Sequence, residues 1–156
     1  MKGYTQINNS QSKDFEAVFF YATMGILITD EKGIIAAVNP FALKEFGYTE
    51  KELVGEKIET LVPVHLQKKH SGFHKKYIEE ADTRPMNADM KVSALKKDGT
   101  EFPVEISLTK YKKDSQNYII AFINNITDRK KSEAEIVKLN AKLETKIGRA
   151  SCRERV

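Results

Sequence analysis

The chain has 156 residues, of which 40% are hydrophobic and 31% charged, enough to bury one sizeable core with short appendages. Its longest nearly apolar run, AVFFYATMGILI, is too short to cross a bilayer, and no secretion signal follows Lys2. The net charge of +4 is scattered rather than clustered, which argues against a nucleic-acid-binding face. A single cysteine, Cys152, excludes an internal disulfide or a cysteine-based zinc site. These features favour a cytoplasmic location.

Helix and strand patterns alternate after a polar leader. Apolar residues at helical spacing predict an amphipathic helix: Phe15, Val18, Phe19 and Ala22. The runs GILITD and IIAAVN, separated by a turn at Gly33, predict a β-hairpin. Asn39-Pro40 predicts the start of a short helix, because Asn caps helices and Pro suits their first position. That helix should end at Gly47.

Two further helices are predicted before the second group of strands. Thr49 and Glu52 have the spacing of a capping box, and Gly55 closes the helix that this box opens. A longer helix that carries His70 follows and runs to about Glu80.

The second half is strand-like and then helical. KVSALKK and EFPVEISLTKY flank the turn pair Asp98-Gly99, which predicts a hairpin with one exposed face. YIIAFINNI is apolar on both faces, as is typical of a central strand. From Thr127 onward the pattern is helical, with an apolar stripe at Ile136, Leu139, Leu143 and Ile147. This stripe indicates either the start of a coiled coil or a terminal helix packed on its own domain.

Three strings together resemble the PAS domain, a sensory module of bacterial signalling proteins: GILITDEKGIIAAVNPFALKEFGYTEKELVGEKI, KKDGTEFPVEISLT and YIIAFINNITDRK. The resemblance implies an α+β fold with a five-stranded antiparallel sheet and short helices over one face. Flanking helices at both ends and a ligand-sized cavity complete the expected architecture. Light-sensing flavin members carry a reactive cysteine in a string that this chain lacks, so no cysteine-linked flavin is expected.

The resemblance and the patterns divide the chain into four segments. We expect a polar leader at 1–13, the PAS domain with its amino-terminal helix at 14–128, and an exit helix at 129–147. Residues 148–156, GRASCRERV, resemble translated sequencing-adapter read-through and are expected to be non-native.

His70 is the most prominent candidate site residue. Helical spacing places Leu66, His70, Phe73 and Tyr77 on one face, which predicts that His70 points inward over the sheet. The string KHSGFHKKY resembles the haem-binding segment of rhizobial oxygen-sensing PAS kinases. That resemblance implies His70 as the proximal iron ligand. The arginine that those kinases use toward bound oxygen corresponds to Met90, which cannot donate a hydrogen bond.

Other interpretations of His70 stay open. The alternative to haem is a buried histidine bonded to a backbone carbonyl or a hydroxyl. A zinc or nickel site built on His70 and His74 needs a third ligand for which the sequence offers no candidate. No metal beyond a possible haem iron is therefore expected, and the cofactor stays unknown. Phe73, Tyr77 and Met90 are the candidate cavity-lining residues.

The last helical segment indicates how the module would act. TDRKKSEAEIVKLNAKLETKI resembles the linker leading into the dimerisation helices of sensor histidine kinases. This implies a non-catalytic input module that relays ligand or redox state to a downstream kinase of the same chain, with a diguanylate cyclase as runner-up. A homodimer through the flanking helices and an unknown small-molecule ligand are the expected partners. The expected coupling residues are Asn125, Ile126, Thr127 and Arg129. A haem gas or redox sensor and a ligand-free dimerisation scaffold are the alternatives.

Overall fold

The computed structural model describes residues 9–79 and 92–153. The helices are α1 (Asn9–Tyr21), α2 (Pro40–Phe46), α3 (Glu50–Leu53), a 3₁₀ helix (Ile58–Leu61), α4 (Val64–Glu79) and α5 (Thr127–Arg153). The strands are β1 (Gly25–Asp30), β2 (Ile35–Val38), β3 (Val92–Leu95), β4 (Glu101–Lys113) and β5 (Gln116–Asn125). The chain divides into two compact units, with the boundary between Asn125 and Ile126.

The five strands form one antiparallel sheet in the order β2-β1-β5-β4-β3. The predicted α+β architecture is therefore confirmed. Strand β5 lies in the centre, paired with β1 on one side and β4 on the other. Its buried residues, Ile119, Ala121 and Ile123, alternate with half-buried ones, so only one face of this strand is fully covered.

The helix caps predicted from the sequence are found in the structure. Asn39 caps α2 by accepting the backbone N–H of Ala42 at 3.0 Å. Gly47 ends that helix in the left-handed conformation at φ 77°, which glycine adopts without strain. The carboxylate of Glu52 accepts the backbone N–H of Thr49 at 2.9 Å, as the capping box requires.

The core lies between the sheet and the short helices that follow β2. Phe46 is 1% exposed and packs edge-to-face on Phe102, with ring centroids 5.5 Å apart. Other members of this core are Leu27, Ile35, Val38, Ala42, Leu53, Leu61, Ala94, Val104, Ala121 and Ile123. Because α2 and α3 bury their apolar side chains here, this part of the sheet has a fully packed cover.

The flanking helices are longer than the sequence pattern indicates. Helix α1 begins at Asn9, inside the segment expected to be a leader. Helix α5 continues through Gly148 to Arg153 instead of ending at residue 147, because one glycine lowers helix stability by only about 1 kcal/mol. Among the described residues, no helix is long and apolar enough to span a membrane.

Candidate functional site

Helix α4 carries the candidate site, and it is held to the rest of its unit by polar contacts. None of its residues is fully buried. The side-chain amide of Gln67 donates to the carbonyl oxygens of Glu59 and Val62 at 3.1 and 3.2 Å. At the other end, the Nζ atom of Lys110 donates to the carbonyl oxygen of Ile78 at 2.6 Å. Hydrogen bonds thus anchor both ends of α4.

The inward face of α4 is lined by titratable side chains. His70 is half-buried, and its Nδ1 atom lies 3.5 Å from Oε1 of Glu59. The rings of His70 and His74 lie 6.3 Å apart. His70 Nδ1, His74 Nε2 and Tyr77 Oη are buried atoms without a hydrogen-bond partner. His70 therefore points inward, as its spacing along the helix predicted.

His74 packs against the turn between β1 and β2. A Cβ atom added to Gly33 would meet His74 Nε2 at 3.6 Å, in ordinary van der Waals contact. Burial lowers the pKa of His74, and the neighbouring His70 lowers it further. Both effects disfavour the imidazolium form. His74 is half-buried and lies on the inward face of α4.

Tyr77 completes the inward face. Burial raises the pKa of its phenol, so the group stays protonated and can donate a hydrogen bond. Together, the two histidines and Tyr77 present polar atoms over two turns of helix. Such a surface suits a polar ligand better than an apolar one.

The predicted inward placement of Phe73 is wrong. Its side chain is 46% exposed. Leu66, His70 and Tyr77 are half-buried as that spacing predicted, and the half-buried residue between His70 and Tyr77 is His74 instead of Phe73. Met90 lies outside the described residues.

The predicted coupling residues lie at the end of β5 and the start of α5. Asn125 is the last residue of β5, and its side-chain amide donates to Glu45 Oε2 at 2.7 Å. In the second unit, the carbonyl oxygen of Ile126 accepts the backbone N–H of Lys130. Helix α5 begins at Thr127. Arg129 Nε lies 3.8 Å from Oε1 of Glu133, one helical turn further on.

Two polar residues of the site were missed in the sequence. Lys110 interrupts the alternation of the strand at a position paired with Ile119, which is buried. The sequence could have indicated Lys110, because this lysine occupies a strand position where the alternation otherwise has apolar residues. Glu59 gave none, because its approach to His70 depends on tertiary structure. Within residues 9–79 and 92–153, no three His, Cys, Asp or Glu side chains are grouped to hold a metal ion.

Comparison with known proteins places this fold in a family. Residues 23–128 match the family model described as "PAS domain". The chain is 24% identical over 118 residues to "Sensor protein FixL" of Bradyrhizobium diazoefficiens, covering 76% of this chain and 23% of that protein. It is 25% identical over 114 residues to "Oxygen sensor protein DosP" of Escherichia coli, covering 70% of this chain and 14% of that protein. The chain thus spans less than a quarter of the length of these relatives.

Solved structures agree on the fold. The PAS domain of a protein from Colwellia psychrerythraea has a TM-score of 0.66 at 18% identity, covering 75% of this chain and 98% of that chain. The PAS domain of an HTR-like protein from Haloarcula marismortui has a TM-score of 0.62 at 21% identity, covering 75% and 93%. The family match extends over more than half of the chain. The chain belongs to the PAS domain family.

Proposed function

We propose that the chain is the sensory input module of a two-component signalling protein, with a sensor histidine kinase as the parent enzyme. The observation that carries this proposal is the 118-residue similarity to Sensor protein FixL. A diguanylate cyclase is the alternative parent. The module itself is non-catalytic, acts in the cytoplasm, and passes its signal to an output domain in the same protein.

In this proposal, the signal leaves through the segment that joins the sheet to α5. Asn125 ends the central strand, and α5 begins two residues later at Thr127. A ligand that moves the sheet would change the tilt or rotation of α5, which biases a two-state dimer interface. Ile126, Thr127 and Arg129 are the proposed coupling residues beside Asn125.

The second unit supports a dimer through α5. Its apolar stripe is between 55% and 66% exposed at every position: Ile136, Leu139, Leu143 and Ile147. Helix α1 likewise exposes Phe15 and Val18. Exposed apolar side chains at helical spacing are typical of helices that pair with a partner. We propose a second copy of this chain as that partner.

Sedimentation equilibrium of the whole chain tests this dimer. The double variant Leu139→Glu with Leu143→Glu places two carboxylates on the stripe, and it should weaken the dimer about a hundredfold or more. The matched control, Ala141→Glu with Thr145→Glu, has the same spacing on the opposite helix face and should leave the dimer intact. A monomeric wild-type chain, or equal effects of both variants, would contradict the proposal.

A haem-based gas or redox sensor is the second candidate. It is supported by the similarity to Oxygen sensor protein DosP and by the contact between His70 Nδ1 and Glu59. A carboxylate beside the second ring nitrogen is a usual neighbour of a histidine that ligates a metal. The rest of the face fits poorly, because His74 and Tyr77 present unsatisfied polar atoms where a porphyrin needs apolar surface.

Absorption spectroscopy separates the two candidates. On addition of hemin, a haem sensor shows a sharp Soret band that is lost in His70→Ala. The poor fit of the face predicts no such band for this chain. A band that disappears in His70→Ala and persists in His65→Ala, an exposed histidine at the start of the same helix, would establish the haem function instead.

A further inference from the structure

A hydrogen bond joins helix α2 to the end of the central strand. The side-chain amide of Asn125 donates to Oε2 of Glu45 at 2.7 Å. Both side chains are half-buried, and a hydrogen bond to a carboxylate is stronger than one between neutral groups. Asn125 is the last residue of β5, and α5 begins two residues later at Thr127. The bond therefore lies at the point where the chain leaves the sheet.

Strand alternation and helical spacing explain why these two side chains meet. Successive side chains of a strand point to opposite faces, and Asn125 lies two residues after Ile123, which is buried in the core. Asn125 therefore lies on the core face of the sheet, which α2 covers. On α2, Glu45 follows the buried Ala42 by three residues, which puts it beside the buried stripe of that helix.

Helix α2 is a fixed support for Glu45. A Cβ atom added to Gly25 would lie 3.3 Å from Cβ of Ile123 and 3.4 Å from Cβ of Ala42. The glycine thus allows the helix to lie closely against β1 and β5. The amino end of α2 is held by Asn39, which is fully buried and makes four side-chain hydrogen bonds. Glu45 therefore has little freedom to follow a movement of β5.

We propose that Glu45 is a positioning residue for the relay, because its bond to Asn125 holds the end of β5 against α2 and thereby determines how firmly α5 begins. This inference rests on the proposed sensory function and adds a restraint to it. A movement of the sheet that separates the end of β5 from α2 has to break this bond. Loss of the bond should therefore loosen the start of α5 while the core stays folded.

Native-state hydrogen exchange of the whole chain tests this role. Asn125→Asp replaces the donor by a carboxylate that faces Glu45, so that like charges repel. The amide protons of residues 130–133, which form the first hydrogen-bonded turn of α5, should exchange about tenfold faster or more. The amides of α2 should keep their wild-type protection. An unchanged first turn, or an equal increase at every amide, would overturn the proposal.

The double variant Asn125→Asp with Glu45→Gln reverses the direction of the bond. The new amide at position 45 can donate to the new carboxylate at position 125, so exchange in residues 130–133 should return close to the wild-type rate. A carboxylate near the start of a helix is favourable by itself. Faster exchange in Asn125→Asp alone therefore has to come from the contact with Glu45. Failure of the double variant to recover would overturn the proposal.

The matched control is the pair of Asn117 and Glu31 at the other end of β5. The side-chain amide of Asn117 donates to Oε1 of Glu31 at 2.6 Å, which is the same chemistry as in the proposed pair. Asn117→Asp should loosen the turn between β1 and β2 and leave exchange in residues 130–133 unchanged. Equal effects of Asn117→Asp and Asn125→Asp on α5 would overturn the proposal.

A variant without added charge covers the case in which Asn125→Asp does not fold. Glu45→Ala removes the acceptor and should also speed exchange in residues 130–133. Glu45→Gln keeps an acceptor and should speed it less. Equal rates in Glu45→Ala and wild type would overturn the proposal. A wild-type first turn without measurable protection would overturn it as well, because the bond would then position nothing.

This result is separable from the proposed sensory function. Exchange reports the start of α5 within one chain, whereas sedimentation equilibrium reports the dimer. If Glu45→Ala changes nothing while the chain is a dimer, the positioning role is wrong and the relay stands. If the wild-type chain is a monomer while residues 130–133 respond to Glu45→Ala, the dimer relay is wrong and the positioning role stands.

Discussion

Helices α2 and α4 belong to the same unit, yet their contacts are of opposite kinds. Helix α2 has seven residues, two of which, Ala42 and Phe46, are buried in the main core. Helix α4 has sixteen residues and none that is fully buried. The cap residue of α2, Asn39, has all its side-chain polar groups bonded, whereas α4 presents three unsatisfied polar atoms.

This difference indicates different roles for helices α2 and α4. Apolar burial and satisfied hydrogen bonds stabilise a single arrangement, so α2 acts as fixed structure. A helix with no fully buried side chain opens at lower free energy, and a ligand that satisfies its polar atoms shifts the population toward the bound arrangement. We therefore assign stability to the α2 side and ligand response to the α4 side.

Truncation of a phenylalanine on each helix should give the largest contrast. Phe46→Ala removes a ring that is 1% exposed and packed on Phe102, and it should lower the free energy of unfolding by about 3–5 kcal/mol. Phe73→Ala, on α4, removes an exposed ring and should change stability by less than about 1 kcal/mol. Urea denaturation measures both. Similar losses of unfolding free energy in Phe46→Ala and Phe73→Ala would contradict the difference between α2 and α4.

The capping asparagine should have the next largest effect. Asn39 is fully buried and joins three segments: its Nδ2 donates to the carbonyls of Phe19 and Met24, and its Oδ1 accepts the backbone N–H groups of Ile26 and Ala42. Asn39→Ala leaves these groups unpaired, so stability should fall by about 3 kcal/mol.

Chemical denaturation of Asn39→Ala is compared with that of Asn117→Ala. The side-chain amide of Asn117 donates to the exposed Glu31 in the hairpin loop. Asn117→Ala should therefore lower the free energy of unfolding by less than about 1 kcal/mol. A small effect at Asn39 would mean that water readily replaces its bonds and that the α2 side is less fixed than we state.

On the α4 side, removal of a polar atom should raise stability. Tyr77→Phe deletes a buried hydroxyl that has no hydrogen-bond partner, so the unfolded state loses a hydrated group while the folded state loses no bond. We expect a gain of about 1 kcal/mol in ligand-free protein, measured as a higher urea midpoint. Tyr118→Phe should leave the midpoint unchanged. A loss of stability in Tyr77→Phe would show that its hydroxyl has a structural partner.

The smallest predicted effect is a pH dependence at α3. The ammonium of Lys97, at 2.6 Å, and the N–H of Thr49 lower the pKa of Glu52 from its ordinary range to about 2. Because the folded-state pKa is depressed, the stabilising contribution is present above the unfolded value and is lost as pH falls toward 2. Thermal unfolding of Glu52→Gln should show a smaller decrease than wild type between pH 5 and about 2. Parallel decreases would contradict this assignment.

Local signals made most of the fold predictable. The turn glycines, the cap at Asn39 and the alternation of EFPVEISLTKY act over a few residues, and each is found in the structure as predicted. The side chains that contact α4 were not predictable, because Gln67 bonds backbone carbonyls of the preceding turn and Lys110 comes from strand β4. Glu59 contacts His70 from the 3₁₀ helix, and Lys110 contacts Ile78 from β4. Apolar spacing predicted Phe73 on the inward face, whereas in the structure Phe73 is exposed and His74 is half-buried.

Native-state hydrogen exchange of the ligand-free chain tests the central claim most directly. Amide protons in the middle of α4, residues 67–76, should exchange through local opening, with protection well below that of the central strand β5 at residues 118–123. The account predicts that amides of α2 approach the protection of β5 while those of α4 do not. Equal protection of α4 and β5, at the level of global unfolding, would contradict the division between a fixed α2 side and a responsive α4 side.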